Sequence, residues 1–181
     1  ELFHKRPYDI LSVNERINAS VLDCAINLYE SHKLESIISL SSSMVFENAT
    51  KFPSLENDVL NIPPPNSSYG FQKLAAEYMT KAAYEQYGLP FVLIRPFNAI
   101  GIGEDDFIKG KRSHVLPDLI IKCLQGQNPL KILGSGNQIR CFTHGKDIAR
   151  GIRLAMESEK AILEDFNIST QKATSILQLA E

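Results

Sequence analysis

The amino-acid sequence predicts an α/β fold with a doubly wound parallel sheet, and three observations carry that expectation. Short apolar runs rich in β-branched residues alternate with longer stretches of helical periodicity. Residues 36–95 read as strand, helix, strand, a unit that closes as a right-handed parallel crossover. Of the 181 residues, 44% are apolar and 22% charged, which supplies material for one real core.

The elements follow in order. Over residues 14–30, Ile17, Val21, Cys24, Ala25 and Leu28 recur at three- and four-residue steps, the signature of one helix face. Residues 36–40, Ser-Ile-Ile-Ser-Leu, are short, β-branched and apolar, as suits a buried parallel strand. Pro53 and the run Pro63-Pro64-Pro65 exclude both helix and central strand, so the polar stretch that follows is a loop. Residues 69–87 are good helix formers, stopped by Gly88 and Pro90. Residues 91–95, Phe-Val-Leu-Ile-Arg, read as a second buried strand that Pro96 ends. The pattern then predicts a helix at 115–125 and short strands at 130–133 and 139–143. Another helix is expected at 147–158, with Ile148, Ile152, Leu154 and Ala155 as its apolar residues and Asp147 as its N-cap. A brief strand at 165–168 and a helix opening at 174 complete the chain. Gly134-Ser135-Gly136 lies between two short strands and reads as a turn rather than a phosphate cradle.

Charge and composition exclude several function classes. Nineteen Lys+Arg against 21 Asp+Glu leave a net charge of −2, with no broad basic surface for nucleic acid. The densest basic stretch, Lys109–Arg112, follows the acidic run 104–106, which reads as a solvated loop lacking the oxygen ligands of a metal site. Cys24, Cys123 and Cys141 are far apart, without metal-ligand spacing, and are expected to be buried free thiols in a reducing, cytoplasmic setting. No apolar run approaches the ~20 residues that span a bilayer, so no membrane partner is expected.

Two features combine to suggest chemistry. Ser41-Ser42-Ser43 follows directly on a predicted strand, and Tyr69-Gly70-Phe71-Gln72-Lys73 opens the next long helix. Residues four apart share a helix face, so the Tyr69 hydroxyl and Lys73 ammonium can serve one small site. A neighbouring cation lowers a phenol's pKa from about 10 towards neutrality, which makes a tyrosine a usable general base. A serine hydroxyl at the carboxyl end of the adjacent strand can bond the same substrate oxygen, because open parallel sheets bind ligands at that edge.

The order of strand, serine run, loop, Tyr-x-x-x-Lys helix and apolar strand ending in Arg95-Pro96-Phe97-Asn98 resembles the extended short-chain dehydrogenase/reductases. Within them it is most similar to the NAD-dependent nucleotide-sugar epimerase/dehydratase family, in motif to members like UDP-galactose 4-epimerase. The resemblance implies a Rossmann-like sheet with a small C-terminal substrate-binding part. It places the catalytic hydroxyl on Ser42, the base on Tyr69, and the hold on the nicotinamide ribose on Lys73. Phe97, with Pro96, would back the nicotinamide, and Asn14 would contribute to the dinucleotide site. Asn98 would contact the substrate diphosphate. His114, Val115 and Leu116 match a segment lining the substrate nucleotide, and Lys131 and Ile132 match the segment around its base. Arg140 would pair with the diphosphate, for which a guanidinium is suited. His144 reads as structural.

The resemblance also implies the reaction class. NAD, rather than NADP, would be the cofactor, and a nucleotide-diphosphate sugar the partner. Dehydratases carry an Asp-Glu pair after the catalytic residue, whereas here Ser43 and Met44 stand there, so epimerisation through a transient keto-sugar is favoured. The alternatives are a dehydratase, decarboxylase or reductase of the same family, or a catalytically silent nucleotide-sugar-binding relative. Residues 1–100 are expected to form the rest of a dinucleotide-binding and catalytic domain, and 101–181 mainly the substrate-binding region, with 139–158 packing back on the main domain. The glycine-rich strand-turn-helix with which the family begins is expected upstream of Glu1, which makes this chain a piece cut at both ends and inactive alone. Helices 14–30 and 69–87 would form a homodimer interface.

Overall fold

A computed structural model of the chain describes residues 5–102 and 114–181; the runs at 104–106 and 109–112 lie outside these. The chain divides into two compact units, Glu1–Pro96 with Arg150–Ile168, and Phe97–Ala149 with Ser169–Glu181.

The first unit is an α/β layer structure around a three-stranded parallel sheet. Helix α1 (Pro7–Glu30) places Pro7 in its first turn, where a missing N–H costs nothing. Strand β1 (Ile37–Leu40) pairs with β2 (Phe91–Pro96) from Ile37 opposite Phe91 to Leu40 opposite Ile94. Strand β6 (Asp165–Ile168) lies on the other side of β2, with Leu93 opposite Asp165 and Arg95 opposite Asn167. Every residue of β2 up to Arg95 is buried, which a central strand covered on both faces requires.

Alternation along the strands sends successive side chains to opposite faces. On one face, Ile37 joins Leu22, Ala25, Ala83 and Leu89, so α1 and α2 (Ser68–Tyr87) cover the sheet there. On the other, Ile38, Val92 and Ile94 meet Ile152, Ala155 and Ala161, the second half of helix α4 (Gly145–Met156) and the turn after it. Each fully buried Val, Leu or Ile adds about 1.5–3 kcal/mol. The sheet is therefore doubly wound, as the sequence predicts.

The face of α1 differs from the expectation. Leu22 and Ala25 are buried, and Ile26 and Tyr29 pack beside them, whereas Ile17, Val21, Cys24 and Leu28 are exposed. The helix carries two apolar stripes about 100° apart, and periodicity alone does not say which one meets the core. Cys24 is thereby an exposed thiol rather than a buried one; Cys123, on another helix, is exposed too, and Cys141 is partly buried.

The second unit holds β3 (Ala99–Ile100), α3 (Val115–Leu124), β4 (Ile139–Arg140), β5 (Thr143–His144), β7 (Thr174–Ser175) and α5 (Ile176–Ala180). β3 pairs parallel with β5, and β4 antiparallel with β7. The single strand expected at 139–143 is thus two, because its halves pair with different partners. Residues 130–133 form no strand. The Lys131 N–H donates to Gln127 Oε1 and its carbonyl accepts from Lys122 Nζ, so side chains take the bonds a ladder would use. Residues 174–175 are strand, and the helix starts one step later under a capping box of Ser175 and Gln178. Helix α4 begins at Gly145, two residues before the expected Asp147 cap; His144 Nδ1 accepts from the Lys146 N–H instead.

Candidate active site

Helix α2 is built to present its first turn. Ser67 Oγ accepts from the Gly70 N–H and caps the helix, while its hydroxyl and its own N–H both donate to Glu47 Oε2, at 2.8 and 3.0 Å. At the far end Gly88 adopts φ 73° and closes the helix on the Tyr84 carbonyl, a backbone state glycine reaches without strain.

Ser42 is the N-cap of a short 3₁₀ turn (Ser43–Phe46), where its Oγ accepts from the Met44 N–H at 3.2 Å. A hydroxyl used as an acceptor keeps its own proton for another partner. Gly70, next to Tyr69, lies hard against this turn. A Cβ there would stand 2.8 Å from the Met44 carbonyl oxygen and 2.7 Å from Pro65 Cβ. The absence of that Cβ lets the Tyr69 helix abut the Ser42 turn. Lys73, one helical turn on, donates from Nζ to the Leu40 carbonyl at 2.9 Å, at the carboxyl end of β1. Ser42, Tyr69 and Lys73 thus belong to two abutting elements at that sheet edge. Tyr69 itself is half-buried.

Behind them lies a charged cluster that the sequence reading missed. Arg95 is wholly buried and donates from Nε and from a terminal nitrogen to the two oxygens of Glu77, both at 2.8 Å. It also reaches Asp165 at 2.6 Å and the Glu56 carbonyl at 3.3 Å. Ser41 donates its hydroxyl to the same Glu77 carboxylate. The Phe46 ring stacks against the guanidinium, 5.5 Å from ring centre to Cζ. Burial alone disfavours the Arg95 charge, but hydrogen bonding and charge from Glu77, with Asp165 behind, outweigh it, so its pKa is raised. A charged residue inside the apolar run 91–95 was the available signal, since a buried guanidinium demands a carboxylate. Arg95 is therefore an internal charge paired within the fold.

The remaining expected residues sit as follows. Asn14 Nδ2 donates to the Ile10 carbonyl at 2.7 Å within its own helix. Pro96 ends β2. In the second unit, Phe97 and Asn98 are half-buried, and Asn98 has φ 38°, a left-handed state asparagine tolerates better than most residues. His114 stands at the N-cap of α3, and Val115 and Leu116 form its first turn, half-buried. Lys131 is exposed in the loop held by Lys122 and Gln127, and Ile132 packs close to Gly136. Arg140 is exposed in β4 with one N–H on the neighbouring Ile139 carbonyl.

Among the described residues no cluster of His, Cys, Asp or Glu could hold a metal ion, and no helix is long and apolar enough to cross a membrane.

Comparison with known proteins gives a consistent picture. A model of the family described as NAD dependent epimerase/dehydratase matches residues 2–169. A dTDP-4-dehydro-6-deoxy-D-allose reductase from Streptomyces sp is 26% identical over 97% of this chain and 52% of its own length. A UDP-glucose 4-epimerase from Halalkalibacterium halodurans is 29% identical, covering 83% of this chain and 47% of that protein. Among solved structures, an epimerase from Methanothermobacter thermautotrophicus superposes with TM-score 0.82 at 29% identity, over 97% of this chain and 50% of that one. The chain spans about half the length of the curated relatives it matches.

Proposed function

From its membership of the NAD-dependent epimerase/dehydratase family, to which this chain belongs, we propose that it carries the catalytic residues of a nucleotide-sugar 4-epimerase. The observation that carries this reading is the arrangement of Lys73 on the Leu40 carbonyl, one helical turn from Tyr69 and two residues from Ser42.

The residues present fit a nicotinamide cofactor. An ammonium anchored at the carboxyl end of a parallel strand retains donors for ribose hydroxyls, and this is where open α/β sheets take their ligands. Lys73 and Ser42 would hold it, with Asn14, Pro96 and Phe97 as the further contacts that the family resemblance implies. When bound, NAD supplies the acceptor and later the donor of a hydride.

Tyr69 then removes the proton from the sugar hydroxyl, and Ser42 donates a hydrogen bond to the same oxygen as it becomes a carbonyl. The same Tyr69 would return the proton to that oxygen as the keto-sugar is reduced on its opposite face. Ser43 and Met44, where a dehydratase has two carboxyl groups, offer no acid for elimination. Asn98, His114, Val115, Leu116, Lys131, Ile132 and Arg140 bind the nucleotide diphosphate in this reading. The protein is a homodimer through the outer stripes of α1 and α2, where Ile17, Val21 and Tyr78 are exposed by 52%, 59% and 64%. Its free thiols fit a cytoplasmic setting.

The test incubates the protein expressed from its complete coding sequence with UDP-glucose and NAD. Formation of UDP-galactose supports the reading; a 4-keto-6-deoxy product, or no epimer from any common nucleotide sugar, rejects it. The Streptomyces relative favours a second reading, reduction of a keto-sugar, for which consumption of NADH or NADPH on a 4-keto nucleotide sugar is the readout.

A further inference from the structure

We propose that Glu77 is a positioning residue, which uses Ser41 as its handle to set Ser42 and the Leu40 carbonyl relative to Tyr69 and Lys73. This rests on the reading of Ser42, Tyr69 and Lys73 as the reacting group.

The argument begins with one face of α2. Tyr69, Lys73, Glu77 and Thr80 follow one another at steps of four, four and three, so they line a single side of the helix. Three of them bond to the end of β1. Lys73 takes the Leu40 carbonyl, Glu77 takes the Ser41 hydroxyl, and the Thr80 hydroxyl lies 3.2 Å from that of Ser39. Ser41 is fixed from the sheet side as well, its N–H donating to the Ile94 carbonyl at 2.8 Å. The two residues around it are the ones the chemistry needs: Leu40 carries the oxygen that holds Lys73, and Ser42 carries the hydroxyl.

Ser41 is buried, so its hydroxyl needs an acceptor, and the Glu77 carboxylate keeps acceptor sites beyond the two that Arg95 takes. The serine contact adds a fixed direction. Arg95, also tied to Asp165 and the Glu56 carbonyl, holds Glu77 in place from β2. The helix that carries Tyr69 and the strand end that carries Ser42 are thereby tied to one rigid internal charge.

The closing experiment uses the protein expressed from its complete coding sequence, with Ser41→Ala, Ser41→Thr and Glu77→Gln. Ser41→Ala leaves the Arg95–Glu77 pair intact, so it stays informative if Glu77→Gln fails to fold. Ser41→Ala is expected to lower kcat by roughly 10- to 100-fold with KM little changed, the size of effect produced by a displacement near 1 Å. Ser41→Thr, which keeps the hydroxyl, restores most of that loss. Lys73 also becomes acylated faster by acetic anhydride in Ser41→Ala, read by peptide mass spectrometry, because its carbonyl anchor has loosened. Wild-type kcat and wild-type Lys73 acylation in Ser41→Ala, with only a lower Tm, overturn the proposal. A wild-type protein that turns over no nucleotide sugar overturns the proposed function instead, and the Lys73 acylation rate then decides the positioning role by itself.

Discussion

Arg95 and Glu77 form a two-pronged ion pair between β2 and α2, and neither side chain is more than 2% exposed. A pair so placed is sensitive to the loss of one member. Glu77→Ala leaves a buried guanidinium with only Asp165 to face, and is expected to cost about 3–5 kcal/mol in denaturant unfolding. The double variant Glu77→Leu/Arg95→Met removes both charges and recovers most of that loss. A Glu77→Ala protein of wild-type stability would show that the pair is dispensable.

Replacing Tyr69 by Phe removes the proposed base without changing the packing of its ring. Turnover is expected to fall by roughly 10²- to 10⁴-fold, the contribution of a positioned acid–base group, with affinity for a nucleotide sugar retained. Unchanged turnover rejects Tyr69 as the base.

Gly70 is the close approach between the site's two elements. In Gly70→Ala the new methyl meets Met44 backbone and Pro65, so a loss of about 1–3 kcal/mol is expected, as for overpacking elsewhere. The added bulk also pushes Tyr69 away from the Ser42 turn, so kcat falls beyond what the lower Tm explains. Equal losses in Gly70→Ala and in a remote variant of matched stability would show packing alone.

The outer stripe of α1 tests self-association. Val21→Glu places a charge on the exposed stripe of the helix, about 100° round from the buried Leu22. Light scattering is expected to show a monomer, with secondary structure unchanged. A dimer that survives this change lies elsewhere on the molecule.

Glu15 supplies a pH test. Burial raises its carboxyl pKa above the model-compound 4.5, with Asn18 partly opposing. The folded state therefore holds its proton longer than the unfolded state as pH rises. The contribution of Glu15 to stability is most favourable below 4.5, falls as pH rises towards the folded value, and stays reduced above it. Glu15→Gln is expected to raise Tm of this chain at pH 7 and to leave it unchanged near pH 4. A gain that persists at the lower pH excludes titration as the cause.

Much of this was legible in the sequence, and the failures have physical causes. The strand at 165–168 was readable from its short apolar alternation, and the helix from Tyr69 to Tyr87 from its helix formers and the stop at Gly88 and Pro90. The core face of α1 was not, because Val21 and Leu22 are equally apolar and only tertiary contact chooses between them. The strands of the second unit, two residues each, are set by distant partners rather than by local pattern. At the site, Ser42, Tyr69 and Lys73 could be nominated from spacing and resemblance. Glu77 could not, because a glutamate on a helix looks solvated until its counter-charge from another strand is known.

The side of α2 that bears Tyr69, Lys73, Glu77 and Thr80 behaves as a ruler with chemistry marked at one end and anchorage at the other. Its marks are set by helical phase, not by distance along the chain. One residue inserted between Lys73 and Glu77 would rotate the reactive end by about 100° against a fixed anchor. A surface loop can lengthen at small entropic cost, whereas this one helical turn cannot change length without breaking the alignment.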